Sequence, residues 1–478
     1  MTEGLDCREI TLKEALTNKD KRIDSQFWTT HIPKNSNYRY AKIGDVIVSS
    51  QYGMSIEMNT DKIGYPIFRM NELHHMLTDL EVEKYADVSD IEYEAFALQD
   101  KDVLFNRTNS YEWVGRTGIF YKNDDTPFTY ASYLVKFVPD RDVILPEYLT
   151  AFLNTGIGVR AIKARARQSV NQTNVNPEEV KEIEIPLLSM KFQKEIEKLF
   201  LTANKKRVEA RDLYDKAVGV LDSYLDIKVE SVYKPYSEKL LSASFGVSGR
   251  FDAEYFDCKY DHIESQISGY NTVLNSCVLY DSNFFPMDDK EYQYIELANV
   301  DAMGGISNVE PVAGCALPGR ARRLVKAGQV IVSSIEGSLS SCALITPEYD
   351  HAICSTGFYV VNSEKYNSET LLILFKSEAI QAMLKKRCSG TILTAIPKNE
   401  FEKMPLPEVA KSVQKVIASE IQKSFGLRDE SKRLLKLAVK AVEMAVETDE
   451  KTALLWLESR KERAVVKIAD PVKSGRHI

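Results

Sequence analysis

The chain has 478 residues, 44% hydrophobic and 27% charged, with a formal net charge of −7. It is too long for one ordinary core, suits two to four domains, and has the composition of a globular protein with no apolar run near the roughly 18 residues of a membrane span. The acidic balance excludes nonspecific coating of nucleic acid, but it leaves room for a reader whose basic groups gather on one face.

In the first 40 residues, Lys21-Arg22-Ile23-Asp24-Ser25-Gln26-Phe27-Trp28 is a start signal. Residues 41–140 are β-rich, with short strands predicted at 46–48, 67–70, 102–105, 118–121 and 133–137, each bounded by Gly, Asn, Asp or Pro. Residues 146–164 switch to helical spacing, with Tyr148, Leu149, Phe152 and Leu153 on one face. A polar stretch then ends in Asn176-Pro177, and an apolar strand signal at 183–188 is broken by Pro186. A long amphipathic helix starts near Met190, its stripe running through Phe192, Ile196, Leu199, Ala203, Ala210, Leu213, Val218, Leu221 and Tyr224.

The same order then returns, and a repeat of this length decides the fold class. Residues 249–256 repeat the shape of 21–28 at an offset of 228. Residues 326–332 overlay 99–105 at 227, 355–361 overlay 131–137 at 224, and 368–375 overlay 146–153 at 222. At 221, Val180 falls on Phe401, Pro186 on Pro407 and Phe192-Gln193-Lys194 on Val413-Gln414-Lys415. The drift is what duplicated domains with variable loops produce. The second helix carries its stripe on Val413, Ile417, Ile421, Phe425, Leu434, Ala438, Val442 and Ala445, and both stripes weaken midway, at 205–212 and 428–433. A helix of about 36 residues, about 54 Å long, would expose its stripe alone, so its natural mate is its own repeat, packed antiparallel. The expected organisation is mixed α/β (α+β): a first domain at 1–187, a spacer helix at 188–226, a second domain at 227–408, a second spacer helix at 409–447 and a tail at 448–478. In the tail, residues 454–457 are expected to extend the helix or dock on a partner, and 460–478 carry six basic groups against two acidic.

Motifs of catalysis and cofactor binding are missing. No G-x-G-x-x-G follows a strand, and there is no G-x-x-x-x-G-K-[ST] loop, no His-Glu-x-x-His and no Asn-Pro-Pro or Asp-Pro-Pro string of an adenine methyltransferase. Cys342, His351 and Cys354 are the nearest approach to a metal set and read instead as a buried thiol pair beside a surface histidine. Gly115-Arg116-Thr117-Gly118 and Gly304-Gly305 read as turns. The seven cysteines are scattered without Cys-x-x-Cys, and the N-terminus has no secretory signal, so a reducing cytoplasm is expected.

What remains is polar, basic and repeated. In the first half the candidate DNA contacts are Asn106, Arg107, Thr108, Asn109 and Arg116, then Lys163, Arg165, Arg167, Gln168, Asn171 and Gln172. Their counterparts are Ser334 and Ser338, then Lys385, Lys386, Arg387 and Ser389, with a separate basic run at Arg320, Arg322 and Arg323. Arg and Lys neutralise phosphates, whereas Arg, Asn, Gln and Ser also read base edges.

Over about residues 10–447 the chain resembles the DNA specificity subunit of a type I restriction-modification system. The strings that carry the resemblance are 65–73 (YPIFRMNEL), 101–108 (KDVLFNRT), 114–118 (VGRTG), 168–174 (QSVNQTN) and Ile185-Pro186-Leu187 leading into the helix at Gln193-Lys194-Glu195-Ile196. The resemblance implies two target-recognition domains, each reading one half of a bipartite site in double-stranded DNA. It implies antiparallel helices that set the gap, about one and a half turns of duplex. It also implies a chain without catalysis or cofactor of its own. Two adenine-N6 methyltransferase subunits would bring S-adenosylmethionine, docking on the helices and the N-terminal segment; restriction subunits, where present, would bring ATP. The run at 388–391 departs from the Gln/Asn-rich pattern, and the tail beyond 447 is not a shared feature. A specificity subunit of a non-restricting phage-defence system and a stand-alone DNA-binding regulator or decoy of the same fold remain alternatives.

Overall fold

The computed structural model describes residues 7–469 except 19, 20, 171, 230–235, 237, 243, 246–248, 268, 308 and 391–393, with side chains to residue 460. The chain divides into two units, Met1–Val208 with Arg428–Ile478, and Glu209–Leu427. Both boundaries cut the long helices, so each unit takes half of the helix pair that the sequence reading set apart as spacers.

The first unit opens with α1 (Leu12–Thr17), α2 (Ser25–Thr29) and β1 (Tyr40–Lys42). The strands β2 (Ile47–Tyr52), β3 (Tyr65–Phe68), β4 (Leu73–His74), β5 (Leu77–Thr78) and β6 (Tyr85–Ala86) lead to α3 (Asp90–Phe96). Then come β7 (Val103–Asn106), β8 (Thr108–Asn109), β9 (Thr117–Ile119), β10 (Thr129–Tyr130) and β11 (Leu134–Pro139). Helices α4 (Pro146–Leu153) and α5 (Gly156–Ala164), strands β12 (Arg167–Gln168) and β13 (Thr173–Asn174), α6 (Pro177–Lys181) and β14 (Glu184–Pro186) precede the long α7 (Met190–Leu225). Six strands form one sheet in the order β2-β11-β7-β9-β5-β4, and a smaller sheet runs β10-β3-β6 with β10 and β3 parallel.

Strand alternation sorts the core. Val103, Phe105, Val135 and Phe137 face α4 and α5 in one cluster, while Leu104 and Leu134 face Phe68 and Tyr130 in another. The first cluster runs on through Phe192, Ile196, Leu199 and Ala203 of α7 to Leu434, Ala438, Val442 and Ala445, so reader and helix pair share a core.

The second unit repeats this plan. It holds α8 (Cys258–Ile267), α9 (Val273–Ser276), β15 (Val278–Tyr280), β16 (Glu291–Ile295), β17 (Pro311–Ala313), β18 (Ala321–Leu324), β19 (Val330–Ser333), β20 (Cys342–Leu344), β21 (Ile353–Ser355) and β22 (Phe358–Asn362). Helices α10 (Ser368–Lys376), α11 (Glu378–Lys386) and α12 (Lys398–Lys403) follow, before the long α13 (Lys411–Glu447); α14 (Glu450–Ala469) closes the chain, back in the first unit. The sheets are β15-β22-β19-β20 and β17-β16-β21-β18, with β16 and β21 parallel as β3 and β10 are. Val330 and Val332 pack towards α10 and α13, and Ile331 faces away.

The long helices run antiparallel in each unit. In the first, Ser431 donates to the Ala203 carbonyl (2.8 Å) and Glu450 accepts from the Ser189 amide (2.7 Å). In the second, Ser424 donates to the Ala210 carbonyl (2.6 Å) and the Ala410 amide to the Tyr224 hydroxyl (3.3 Å). Both serines are buried in the seam between the helices, Ser431 within the weak stretch of its stripe and Ser424 just before it. Each helix is locked to its domain by the same residue: buried Gln193 accepts from the amide of Leu145, the N-cap of α4, and donates to the Leu188 carbonyl. Gln414 does the same to Asn367, the N-cap of α10, and to Val409.

The tail docks on its own unit. Ala453 and Leu457 are buried in the first core and Leu454 and Trp456 pack against it. Cys342 and Cys354, expected as a pair, lie in different apolar clusters.

Candidate nucleic-acid interface

In the first unit the fold brings two distant polar stretches together. Strand β13 pairs antiparallel with β12 and with β8, so Thr173 lies between Gln168 and Asn109, and Asn174 between Arg167 and Thr108. The Ser169 amide closes the β12–β13 turn on the Gln172 carbonyl (2.8 Å). The sheet is too small to bury side chains on both faces, and Arg167, Gln168, Ser169, Val170 and Gln172 are exposed, with Asn109 half-buried. Asn171 lies outside the described residues.

Two arginines flank this sheet on aromatic rings. Arg107 lies 5.2 Å from the Tyr52 ring centroid and donates to the Ser132 carbonyl (3.3 Å). Arg116 stacks 3.5 Å from the Trp113 ring, and burial pushes its guanidinium down to about 10. Such stacking holds a guanidinium in one plane with donors left over. The Trp113–Arg116 spacing is visible in the sequence, whereas only tertiary structure brings Tyr52 to Arg107.

Burial corrects four candidates in this unit. The Asn106 side chain is inside, where Oδ1 accepts the Thr108 amide (3.2 Å). Thr108 is buried too and donates to Asn174 Oδ1 (2.7 Å). Lys163 Nζ donates to the carbonyls of Tyr111, Glu112 and Val114, and burial pushes its ammonium down to about 8. Arg165 caps α5 by donating to Ala161 O (2.8 Å), also donates to Glu179 O of α6 (2.9 Å), and has its pKa lowered by burial. These groups shape the loop from within.

The second unit brings the equivalent three segments together through isolated β-bridges, with different side chains. Ala395 bridges both Ile335 and Ser389, as Asn174 bridges Thr108 and Arg167. The Ile396 amide donates to Ser334 O (2.8 Å) as Val175 does to Arg107 O (2.9 Å). Residues 391–393 lie outside the described residues.

Here too burial overturns expectations. Ser334 is buried and gives its hydroxyl to Gly357 O (2.9 Å). Lys386 is buried on Glu264 (2.7 Å), 5.0 Å from the Tyr255 ring. Arg387 is buried as the cap of α11, donating to Met383 O (3.0 Å), with its pKa lowered by burial. A cation at a helix C-terminus finds carbonyls before it finds a ligand. Ser338 faces Ser333 Oγ (3.3 Å), Ser389 is half-buried, and Lys385 is exposed near Glu254 (3.9 Å). Arg320, Arg322 and Arg323 are not among the corner's bridging residues; they lie just before and along β18.

Among the described residues no three His, Cys, Asp or Glu come together as a metal site, and no helix is long and apolar enough to cross a membrane. Compared with known families, residues 35–207 match the model described as "Type I restriction modification DNA specificity domain". The first unit thus carries a type I DNA specificity domain. Curated relatives are specificity subunits. The chain is similar to the type I restriction enzyme MjaX specificity subunit of Methanocaldococcus jannaschii, at 27% identity over 199 residues, 41% of this chain and 43% of that protein. It is similar to the EcoKI specificity subunit of Escherichia coli K12 at 26% over 182 residues, 37% of this chain and 39% of that protein. These matches span about two fifths of the relatives' length. Among solved structures, the type I S subunit from M. genitalium aligns over 89% of this chain and 96% of its own, at 12% identity and a TM-score of 0.34. The HsdS subunit from Thermoanaerobacter tengcongensis aligns over 87% and 98%, at 12% and 0.29.

Proposed function

We propose that this chain is the DNA specificity subunit of a type I modification system, each unit reading one half of a bipartite duplex target. The observation that carries it is the corner built twice, from 107–109, 167–168 and 173–175 and again from 334–336, 389 and 394–396, in a chain whose first copy is a specificity domain. Gln168, Gln172, Asn109 and the stacked Arg107 and Arg116 read bases or phosphates in one half-site; Ser389, Ser338 and Lys385 serve the other. The chain binds no cofactor and catalyses nothing. Two adenine-N6 methyltransferase subunits supply S-adenosylmethionine, restriction subunits supply ATP hydrolysis where the system cuts, and the complex works in the cytoplasm. Helices α7 and α13 set the spacing of the half-sites.

Methylome sequencing of cells with and without the chain tests this. One bipartite adenine motif should appear with it and vanish without it. An unchanged methylome beside sequence-specific DNA binding would overturn the methylation role in favour of a regulator or decoy.

A further inference from the structure

The two units differ most at one place in the fold. Between β6 and β7 the first unit inserts α3, which lies against β10: Phe96 O accepts from Thr129 Oγ1 (3.1 Å) and Tyr93 stacks on Tyr65 of the adjoining β3. At the same place in the second unit, between β17 and β19, the chain is instead a strand, β18, paired antiparallel with β21. Since β10 and β21 are each the parallel partner of the equivalent strand, α3 and β18 cover the same position.

Their charges are opposite. Helix α3 exposes Asp90, Glu92 and Glu94 and holds no basic residue. Strand β18 and the residue before it carry Arg320, Arg322 and Arg323 and no acid. The arginines are also held in place. A register shift between Ala321 and Arg323 bends the strand, the kind of bulge that re-aims side chains. Arg322 then lies 5.1 Å from the ring of exposed Phe285, and Arg323 donates to Asn283 on the same passing segment, which is tied to the strand by the Phe284 amide on Arg322 O (2.8 Å). Arg320 donates to the Tyr294 hydroxyl and to Glu296, each at 3.2 Å. Arg320 is exposed and the other two half-exposed, and each guanidinium has more donors than these contacts use.

Resting on the function proposed above, we infer that β18 is a phosphate-gripping strip on duplex DNA, present in the second unit alone, so that the two units hold DNA unequally. The second unit's corner is poor in cations because Lys386 and Arg387 are buried. The strip supplies, outside the corner, the backbone contacts that fix register without reading bases. In the first unit the acidic α3 repels phosphate at the equivalent place, leaving Arg107 and Arg116 to flank the corner itself.

The test uses the full chain with its methyltransferase subunits. Binding to a fixed heterologous duplex is titrated against KCl, and a random duplex pool is used to select the motif. Replacing the three arginines together by Gln should flatten the slope of log K against log salt by about 2 to 3, since each phosphate contact contributes about 0.9. Affinity should fall on every duplex while the selected motif stays the same. Replacement by Lys should keep the slope, and R322Q alone should lower it by about 0.9, which keeps the test decisive if the triple variant does not fold. An unchanged slope overturns the inference. So does a motif altered at one half-site, which would make these residues base readers, or loss of the methyltransferase with the slope intact, which would make the strip a dock for an acidic protein surface. A wild-type complex that selects no motif would instead sink the specificity-subunit reading and leave the salt slope to judge the strip.

Discussion

Glu147 and Glu369 are the second residues of equivalent helices, α4 and α10, and they meet different surroundings. Glu147 is fully buried, accepts from the Tyr121 hydroxyl (3.0 Å) and pairs with Lys101 (3.0 Å), which also reaches Glu197 on α7. Burial alone would lower the Lys101 ammonium; the hydrogen bonds and charges of Glu197 and Glu147 outweigh it and hold its pKa above the ordinary value. Glu369 is only half-buried and accepts from neutral Gln422 on α13 (2.7 Å). Around this difference the scaffold is shared. Gln193 and Gln414 make the same bonds, and Arg165 and Arg387 cap the same turn. Arg22 clasps Asp24 (2.6 Å) as Arg250 clasps Asp252 (2.7 Å). What repeats is the framework that carries the corner in each unit. What diverges is the charge laid on it, buried at Glu147 and exposed at α3 and β18.

The largest test of that contrast is Lys101→Met. It strands Glu147 in the interior and should cost about 3–5 kcal/mol in denaturant unfolding. Glu369→Gln, at the equivalent glutamate, should cost under about 1 kcal/mol because that group is solvated and its partner is neutral. Comparable losses would mean the ion cluster is not what separates the units.

Next are the shared glutamines. Gln193→Ala leaves the Leu145 amide and two carbonyls without their side-chain partner in a dry site, and Gln414→Ala does the same at Asn367. Each should cost about 2 kcal/mol. A large effect in only one would break the equivalence of the two helix-to-domain locks.

Gln168→Ala tests the exposed side of the comparison. Its loss should reduce discrimination at one position of one half-site by about 1–3 kcal/mol, with unfolding unchanged. Selection from a random duplex pool measures it; a shift in both half-sites would contradict the assignment of one reader to each unit.

How much of this was legible beforehand divides along the same line. The helix pair, the longer strands β2, β3, β7, β9 and β11 and the corner's two polar stretches were readable because periodicity and a slowly drifting offset reported them twice, in Phe192 and Val413 as in Arg107 and Ser334; the two-residue strands β4, β5, β6, β8 and β10 are too short to show a period. Which polar groups stay outside was not readable. Lys386 and Lys385 are neighbours in sequence, yet Lys386 is buried on Glu264, which lies 122 residues away, while Lys385 is exposed. Asn106 and Asn109 are three residues apart, yet Asn106 ends β7, which is buried along its whole length, while Asn109 ends β8 half-buried. The replacement of α3 by β18 was also hidden, because 90–96 and 320–324 share no pattern to align.

The smallest expected effect comes from the helix seam. Ser431 Oγ donates to the Ala203 carbonyl in the first unit and Ser424 Oγ to the Ala210 carbonyl in the second. Each serine is buried, and each lies 221 positions after the alanine of the opposite contact, 203 before 424 and 210 before 431. The acceptor carbonyls lie inside α7 and already take a bond from the next turn of their own helix, so the hydroxyl adds a second bond instead of rescuing an orphan. Ser431→Ala and Ser424→Ala should therefore cost only about 0.5–1 kcal/mol each, at the low end for a buried hydrogen bond, and nearly the same amount. Ser424→Leu should cost more, about 1–3 kcal/mol, because the opposing Ala210 is wholly buried and leaves no room for the added carbons. If the two alanine variants differed by more than the larger substitution costs, close packing on small residues would not be the property the two halves of the seam share. Near-equal small losses would show the seam to be as conserved between the units as Glu147 and Glu369 are unlike.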